Sequence, residues 1–401
     1  MISAPNSARV RISVFGRRNA GKSALVNALA SQEVSIVSDV PGTTTDPVSK
    51  AMELLPLGPV LLTDTAGIDD EGDLGLKRIG RTLRILENTD IAVLALPCGA
   101  AALEAEKRVA AECSRMGIPL VTVRTKKDLA ASFASTEGEH AVSARTGEGV
   151  AELLHRLAQT VPAERQKPLL DGLVRPGDVV LCIAPIDEAA PKGRLILPQQ
   201  QAIREIIEGG ATAAVCQPDG IGAFLAKMPA GAVKFAITDS QAFAAVDRAL
   251  PKEIPLTSFS ILFARAKGDL AVFDKGLEAV KTLRDGDSVL VAEGCTHLRQ
   301  CGDIGSVKIP AWLGKFTSKK LRFVFASGGD FDLGRGEKPA LVVHCGGCML
   351  TRRSVMARLE RCRAAGVPVV NYGLLIAYMH GIHADPATCM VAGRGTGDKD
   401  R

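Results

Sequence analysis

Residues 16–23 read GRRNAGKS, and this stretch decides the fold of the first part of the chain. The pattern G-x-x-x-x-G-K-S is typical of a phosphate-binding loop, in which backbone N–H groups surround the phosphates of a nucleotide. It lies between a strand predicted over residues 10–15 and a helix predicted over 24–30. In such a loop Lys22 reaches the β and γ phosphate oxygens, and the Ser23 hydroxyl coordinates Mg²⁺. We therefore predict an N-terminal α/β fold that binds a nucleotide.

Two motifs that follow the loop predict the rest of the phosphate and magnesium site. Residues 64–67 read DTAG, which places Asp64 near the metal and allows the Gly67 N–H to donate to the γ-phosphate. Residues 41–46 read PGTTTD and offer three hydroxyl groups. Of these we expect the hydroxyl of Thr44 to coordinate Mg²⁺.

Two later motifs predict which base is bound. Residues 125–128 read TKKD and follow a strand predicted over 120–123, so that the Asp128 carboxylate can pair with N1 and N2 of guanine and select GTP over ATP. Residues 143–145 read SAR and supply backbone contacts to guanine O6. The residues predicted to contact GTP or GDP are Gly16, Asn19, Ala20, Gly21, Lys22, Ser23, Ala24, Thr43, Thr44, Asp64, Gly67, Thr125, Lys126, Asp128, Ser143 and Ala144.

In this order the motifs resemble those of the translation-factor-like GTPases of the TrmE and Era type. The chain departs from that pattern at Thr125, where asparagine is commoner, and at Ile68, where Ras-like enzymes carry the glutamine that positions the attacking water. The resemblance implies GTP hydrolysis, and the isoleucine predicts that hydrolysis is slow.

Asn19 offers a second route to catalysis. In the TrmE-like group an asparagine at this place in the loop binds K⁺ beside the phosphates, and the resemblance implies the same role here, with K⁺ in place of an arginine finger. An asparagine that only hydrogen-bonds within the loop remains the alternative. The residues that the resemblance makes catalytic are Lys22, Asn19, Asp64 and Gly67.

A second set of chemistry-bearing residues lies in the last third of the chain: Cys295, His297, His344, Cys345 and Cys348. Thiolates prefer iron–sulfur clusters, Zn or Cu(I), whereas imidazole is a more readily exchanged ligand. We predict a [4Fe-4S] cluster held by the three cysteines, which leaves one iron open to a histidine, a carboxylate or an incoming group. A structural Cys₃His zinc site and a thioredoxin-like C-x-x-C are the alternatives.

The two halves of this motif are predicted to meet. Each follows an apolar run, at 289–291 and at 341–343, so both should lie at the carboxyl ends of buried strands, where open α/β sheets bind ligands. A helix predicted over 352–365 would place the C-x-x-C at its N-terminus, where the helix dipole favours thiolates. Cys301 and Asp303 are further candidate ligands.

The composition is that of a globular chain with several domains. At 401 residues with a net charge of +5 and 4% aromatic residues, it predicts neither a nucleic-acid surface nor stacking platforms. No signal peptide and no apolar segment of about 18 residues is seen, so we expect a cytoplasmic protein with no membrane contact. The ten cysteines then predict thiols or metal ligands rather than disulfides.

Alternating strand and helix patterns continue after the first domain. We predict three α/β domains, namely a P-loop GTPase fold over residues 1–165 followed by two further domains with largely parallel sheets over 168–267 and 268–401. The elements predicted in the middle domain are strands at 178–183, 213–216 and 234–238 and helices near 200–208 and 241–248.

Taken together, the GTPase motifs, the α/β middle domain and the C-x-H…H-C-x-x-C pattern resemble the HydF family of [FeFe]-hydrogenase maturation GTPases. The resemblance implies a middle domain that dimerises, with higher oligomers open, and a third domain that binds a [4Fe-4S] cluster. It also implies a scaffold that transiently holds a diiron subcluster precursor received from HydE-like and HydG-like radical-SAM maturases. The scaffold would deliver this subcluster of the H-cluster to a HydA-type hydrogenase.

Two other functions remain open from the sequence. A ribosome- or RNA-associated GTPase with a structural zinc domain would contain zinc and present a basic face. A GTP-gated electron-transfer protein would show a reversible redox couple without transferable iron. Metal analysis separates the first of these from an iron–sulfur scaffold.

Overall fold

The structure is a computed structural model. It describes residues 9–31, 48–68, 82–130, 139–162, 167–186, 195–294, 303–328, 331, 333, 337–385 and 388–391. The chain forms two compact units, Met1–Arg165 and Gln166–Arg401. Each unit is an α/β structure in which helices cover largely parallel sheets.

The first unit contains a six-stranded sheet in the order β2-β3-β1-β4-β5-β6. Only β2 pairs antiparallel within it, against β3. Its strands are β1 Val10–Phe15, β2 Val48–Leu54, β3 Gly58–Asp64, β4 Ile91–Pro97, β5 Leu120–Thr125 and β6 His140–Ala141. Its fully bounded helices are α1 Lys22–Ala30, α2 Glu104–Arg115 and α3 Val150–Thr160.

Apolar patterning explains the central strands of this sheet. All residues from Ile91 to Leu96 of β4 are buried, which is typical of a parallel strand covered on both faces. Helix α3 instead buries only one stripe, including Leu153 and Leu157 at i and i+4. Strands β1, β3, β4 and β5 are parallel to one another, so their carboxyl ends share one edge of the sheet. This edge carries the nucleotide motifs.

The second unit begins with a parallel four-stranded sheet in the order β10-β9-β7-β8. Its strands are β7 Val179–Ile183, β8 Thr212–Cys216, β9 Val233–Thr238 and β10 Leu256–Ser258. The helices in this part are α4 Leu197–Glu208, α5 Ile221–Leu225, α6 Phe243–Ala249 and α7 Phe259–Lys267.

A second parallel sheet, in the order β12-β11-β13-β14, completes this unit. Its strands are β11 Ser288–Ala292, β12 Arg322–Ala326, β13 Leu341–His344 and β14 Val369–Asn371. The helices are α8 Leu270–Lys281, α9 Ile309–Thr317, α10 Arg352–Ala364 and α11 Tyr372–Met379, with a turn of π-helix at Ile304–Lys308 before α9.

The two sheets of the second unit share one continuous apolar core. Helix α7 is buried along most of its length and packs against α4, α10 and α11. A segment near the C-terminus returns to the first of these sheets, where Val391 and Leu256 form an antiparallel bridge and the Thr257 hydroxyl donates to the Cys389 carbonyl at 2.7 Å. The boundary near residue 267 therefore separates two sheets within a single packed body.

The predicted fold class, a P-loop GTPase fold followed by α/β structure with largely parallel sheets, is confirmed. The exact three-domain boundaries remain a prediction. Among the described residues, no helix combines the length and apolar character needed to cross a membrane.

Candidate nucleotide site and metal site

The phosphate-binding loop connects β1 to α1 and has positive φ angles at three positions. Gly16 (φ 150°), Asn19 (φ 59°) and Gly21 (φ 87°) all have positive φ. A Cβ at position 16 would collide with the carbonyl oxygen of Ala95 on β4, so glycine is required there for close approach of loop and sheet. Asparagine is among the few non-glycine residues that adopt this conformation readily, which suits Asn19 to the exposed turn of the loop.

Lys22, at the start of α1, has its side chain enclosed by the loop. Its Nζ donates to the carbonyl oxygens of Gly16 at 3.0 Å and Arg17 at 2.8 Å, and the residue is buried. These contacts hold the ammonium inside the ring of backbone where phosphate oxygens are bound in such loops. The phosphate-binding role of Lys22 itself stays a prediction.

Ser23 and Asp64 meet beside the loop and fit a magnesium site. The Ser23 hydroxyl donates to Oδ2 of Asp64 at 2.5 Å. Within the described residues, Oδ1 of Asp64 is buried and has no hydrogen-bond partner. A hydroxyl and a carboxylate with a free buried oxygen are the hard oxygen donors that Mg²⁺ prefers. Thr43 and Thr44 lie outside the described residues.

Thr125 occupies the position where asparagine is commoner, and it contacts the phosphate-binding loop. Its Oγ1 donates to the carbonyl oxygen of Ala20 at 2.5 Å, and the residue is buried at the end of β5. Lys126, directly after it, adopts a left-handed φ of 60°. Thr125 thereby connects the TKKD segment to the phosphate-binding loop.

Asp128 lies where the sequence predicts base recognition. It accepts from the Ser143 hydroxyl at 2.7 Å and from Nε of Arg145 at 2.8 Å. The hydrogen bond from Ser143, followed by that from Arg145, lowers the pKa of the Asp128 carboxyl. The group is therefore held ionised, as pairing with guanine N1 and N2 requires. Ala144 lies between the two donors in the chain.

The DTAG segment reaches the same edge of the sheet. The Ile68 N–H donates to the Gly16 carbonyl oxygen at 3.4 Å, directly after Gly67. The Ile68 side chain packs against an apolar cluster that contains Phe15 and Leu94. The Ile68 side chain is apolar, so it has no group with which to orient a water molecule.

Glu106 on α2 supports the phosphate-binding loop through Arg17, and the sequence did not predict this role. Its fully buried carboxylate accepts from Nε of Arg17 at 2.9 Å and from Nη2 at 2.6 Å. It also accepts from the backbone N–H groups of Arg17 and Leu103. Burial raises the pKa of the Glu106 carboxyl, but the hydrogen bonds from Arg17 and Leu103 outweigh burial and lower it overall. Because Arg17 fills a variable loop position, no local signal marked this long-range pair.

The two halves of the cysteine–histidine motif follow neighbouring strands. β11 and β13 pair in parallel, with Ala292 opposite His344. Just beyond the strand ends, the Gly294 N–H donates to Sγ of Cys345 at 3.1 Å. The residue that precedes Cys295 thus contacts the first cysteine of the C-x-x-C. Cys295, His297 and Cys301 themselves lie outside the described residues.

Cys345 and Cys348 are partly buried thiols in a tight turn. The Gly347 N–H also donates to Sγ of Cys345, at 3.4 Å. Burial raises the pKa of both thiols, opposed for Cys345 first by the Gly347 N–H and for Cys348 first by the Lys267 ammonium. Helix α10 begins at Arg352, capped by Thr351, so the C-x-x-C precedes the helix rather than forming its first turn. The expected thiolate stabilisation by that helix is therefore not seen.

His344 is buried at the end of β13, and both of its ring nitrogens are engaged. Nδ1 lies 2.7 Å from the Cys345 carbonyl oxygen, to which it donates, and Nε2 accepts from Arg358 at 3.3 Å. Burial, followed by the charge of Arg358, lowers the pKa of His344 to about 4, so the ring is neutral. Its role as an exchangeable ligand remains a prediction.

Arg358, on α10, is a further residue that the sequence analysis missed. Its buried guanidinium also donates to the carbonyl oxygens of Glu293 and Gly328. One cation thus joins the ends of β11 and β13. Asp303 accepts from the N–H and the hydroxyl of Ser306 at the start of the π-helical turn. Within the described ranges, no three His, Cys, Asp or Glu side chains form a metal-binding group.

Three family models match consecutive parts of the chain. A 50S ribosome-binding GTPase model matches residues 11–126, a hydrogen maturase F dimerization domain matches 169–268, and a hydrogen maturase F tetramerization domain matches 271–385. The matched dimerization and tetramerization domains support oligomerisation.

Two curated GTPases are similar to part of the chain. The tRNA modification GTPase MnmE of Acidiphilium cryptum is 36% identical over 195 residues, which are 48% of this chain and 42% of that protein. GTPase Der of Wolinella succinogenes is 37% identical over 123 residues, which are 30% of this chain and 26% of that protein. The chain thus spans less than half the length of these relatives.

Two solved structures are similar to the chain at low sequence identity. The G domain of the T. maritima FeoB iron transporter is 20% identical with a TM-score of 0.31, and the match covers 38% of this chain and 98% of that one. Aquifex aeolicus Era bound to GDP and aluminium fluoride is 17% identical with a TM-score of 0.32, covering 51% and 91%.

Proposed function

The chain belongs to the hydrogen maturase F family and is a hydrogenase-maturation GTPase, and from this premise we propose its detailed role. It is a GTP-hydrolysing scaffold that binds a [4Fe-4S] cluster and assembles or delivers the diiron subcluster of the H-cluster. The observation that carries this proposal is the hydrogen bond from the Gly294 N–H to Sγ of Cys345, because it brings the two halves of the cysteine motif together.

The GTPase chemistry is assigned to the residues around the phosphate-binding loop. Lys22 neutralises charge on the β and γ phosphates, and Ser23 and Asp64 hold Mg²⁺ together with Thr44. Gly67 donates its N–H to the γ-phosphate. Asn19 holds K⁺, which compensates for the missing water-positioning side chain at Ile68, so hydrolysis is slow and K⁺-activated.

The cluster site is assigned to Cys295, Cys345 and Cys348. Two N–H groups donate to Sγ of Cys345, and such hydrogen bonds to sulfur stabilise and tune iron–sulfur clusters. When bound, the cluster supplies one iron with an exchangeable coordination position. In this proposal His344 orients the turn through its bond to the Cys345 carbonyl, while His297 remains a candidate for the open position.

The partners follow from family membership. We propose that the chain receives the precursor from HydE-like and HydG-like radical-SAM maturases and passes it to a HydA-type [FeFe]-hydrogenase. The assembled form is a homodimer or a higher oligomer, in the cytoplasm, with neither a membrane nor a nucleic acid as partner. GTP and GDP states change the affinity for these partners rather than bond formation at the cluster.

Metal analysis after anaerobic purification tests the cluster assignment. We expect iron and sulfide in the wild type, together with visible thiolate-to-iron absorbance. Cys345→Ala should lose both, because it removes a ligand that lies between two N–H donors. Cys216→Ala is the matched control, since Cys216 is another partly buried thiol but lies on the edge strand β8.

Three outcomes would contradict this account. Full cluster loading in Cys345→Ala would remove that residue from the ligand set. Equal loss of iron in Cys216→Ala would show that the effect is not local. Stoichiometric zinc in the anaerobic wild type would favour a structural zinc domain.

A further inference from the structure

Lys267 is a buried lysine at the end of helix α7, and it contacts the turn that carries the C-x-x-C. Its Nζ donates to the carbonyl oxygens of Gly347 at 3.1 Å, Cys348 at 2.9 Å and Leu350 at 2.6 Å. The residue is only 7% exposed. Most residues of this helix are buried, so the ammonium reaches the turn through the protein interior.

Buried lysines are rare because removing an ammonium from water is costly unless its donors are satisfied. An ammonium has three N–H donors, and here three backbone carbonyls accept from it. The ring of Phe263, one turn earlier on α7, lies 4.8 Å from Nζ and adds a cation–π contact. The ammonium is thus held in one place, and in turn it fixes the carbonyls around it.

The C-x-x-C turn contacts Lys267 through its carbonyl groups and the Cys345 sulfur through an N–H group. The carbonyl of Gly347 points to the ammonium of Lys267, whereas the N–H of the same residue donates to Sγ of Cys345. Turning the Gly347 carbonyl away would also move the flanking peptide units, including the N–H that contacts the sulfur. Fixing the carbonyls therefore helps to fix the position of the thiol.

The first turn of α7 supports the same segment. A Cβ at Gly346 would lie 2.9 Å from the Ser260 hydroxyl, so the turn packs closely on this helix. Arg352, just beyond the turn, donates to the carbonyl oxygens of Ala266 and Gly268. Helix α7 is therefore in contact with the metal-binding turn at both of its ends.

We propose that Lys267 is the positioning residue of the metal site: it holds the C-x-x-C turn in the conformation that binds the cluster and places a positive charge beside the thiolate ligands. This inference rests on the proposed function, because it requires an anionic iron–sulfur cluster at this turn. Lys267 belongs to the region matched by the dimerization domain, whereas the turn belongs to the region matched by the tetramerization domain. The residue therefore links the two matched regions at the metal site.

Two consequences can be measured. Loss of the three hydrogen bonds from Lys267 should weaken metal retention by about 10–100-fold, the usual cost of removing a residue that orients metal ligands. Loss of the charge should make the reduction potential of the cluster more negative, because a nearby cation stabilises the state that carries one more electron. A residue that only maintained packing would have no reason to change the potential in proportion to its charge.

The experiment compares Lys267→Met, Lys267→Gln and Lys267→Arg in the full-length protein after anaerobic cluster reconstitution. The readouts are iron and sulfide per chain, the rate of iron loss to a chelator, and the reduction potential from an EPR-monitored titration. We expect the Met variant to lose iron faster and to have a more negative potential. The Gln variant should share the lowered potential, and the Arg variant should restore it. Lys281→Met, an exposed lysine on α8, is the control and should match wild type.

The outcomes separate this inference from the proposed function. A wild-type protein without iron and sulfide would refute the proposed function itself. A loaded wild type together with a Met variant of the same chelator resistance and potential would overturn only the role of Lys267. Should the Met variant fail to fold, equal potentials in the Gln and Arg variants would overturn the inference instead.

Discussion

Asn19 is the single residue on which the ion dependence of GTP hydrolysis is expected to rest. Its left-handed backbone places an exposed amide at the turn of the phosphate-binding loop, and Ile68 offers no group to orient water. Replacing K⁺ by Na⁺ should lower the steady-state hydrolysis rate severalfold, and Asn19→Ala should abolish the difference between the two ions. Phosphate release in matched potassium and sodium buffers is the measurement.

A second asparagine in the same unit provides the control. Asn27 lies on α1 and accepts from Nζ of Lys50, so Asn27→Ala removes an amide that is not in the loop. That variant should keep the preference for K⁺. Equal wild-type rates in both salts would exclude a K⁺-activated mechanism.

Glu106 is expected to control the shape of the loop through Arg17. Glu106→Gln removes the charge from a fully buried partner, and it should lower the free energy of unfolding by about 3 kcal/mol, the lower end for breaking a buried ion pair, since Arg17 is partly exposed. GTP affinity should also fall. Glu104→Gln is the matched control, since its exposed pair with Lys107 should contribute almost nothing.

The pH dependence of this pair follows from the direction of the shift. The pKa of Glu106 is lower in the folded chain than its ordinary value of 4.5, so the ionised form stabilises the fold above that pH. The stabilisation is lost as pH falls through the lowered folded-state pKa. Denaturant unfolding should therefore show a large difference between wild type and Glu106→Gln at neutral pH that shrinks below pH 4.5. A constant difference down to strongly acidic pH would contradict the ion-pair explanation.

At the scale of elements, the packing of α8 against β14 depends on one glycine. A Cβ at Gly276 would overlap the carbonyl oxygen of Val369, so the helix and strand can approach only because this side chain is absent. Helix propensity alone predicts that Gly276→Ala stabilises the protein by about 1 kcal/mol. Because the collision is with backbone, we expect destabilisation by about 1–3 kcal/mol instead.

Gly222 on α5 is the matched control for this prediction. A Cβ at that position meets no atom within 4 Å, so Gly222→Ala should be neutral or slightly stabilising. Urea unfolding of the two variants beside wild type gives the comparison. Stabilisation by Gly276→Ala would show that α8 can move away from β14 at little cost.

At the scale of the whole molecule, the proposed nucleotide and cluster sites belong to different compact units. Lys22→Ala removes the cation proposed to contact the phosphates, so nucleotide binding should weaken strongly. Iron and sulfide content should stay at the wild-type level, because the cysteines proposed as cluster ligands lie in the other unit. Lys107→Ala, an exposed lysine on α2, should leave both properties unchanged.

The same variant tests where GTP acts in maturation. With both radical-SAM partners present, Lys22→Ala should fail to support hydrogenase maturation. Supplied with preloaded diiron subcluster, it should still activate apo-hydrogenase. Weak delivery by the preloaded protein would place the need for GTP at the transfer step.

Local patterns determined much of this protein. The GRRNAGKS loop, the DTAG and TKKD segments and the apolar strands before the two halves of the cysteine–histidine motif follow from residues close together in the chain. The structure places the described parts of these motifs at strand ends. The predicted strand at residues 10–15 coincides with β1, and the helix predicted at 352–365 ends one residue earlier, at Ala364. Backbone conformation and burial over such short stretches depend mainly on neighbouring residues, so the sequence is enough to predict these strands and helices.

Only the tertiary structure revealed which distant groups support the two sites. Glu106 on α2 contacts Arg17, and Arg358 joins the ends of β11 and β13. Lys267 lies on α7, which follows β10 of the neighbouring sheet, and it contacts the C-x-x-C turn. The sequence alone does not show whether the side chain of a charged residue is solvated or buried. Its role is decided when folding removes water and leaves particular carbonyls or carboxylates within hydrogen-bond distance. The motifs therefore identify where chemistry occurs, and long-range packing decides what holds those residues in position.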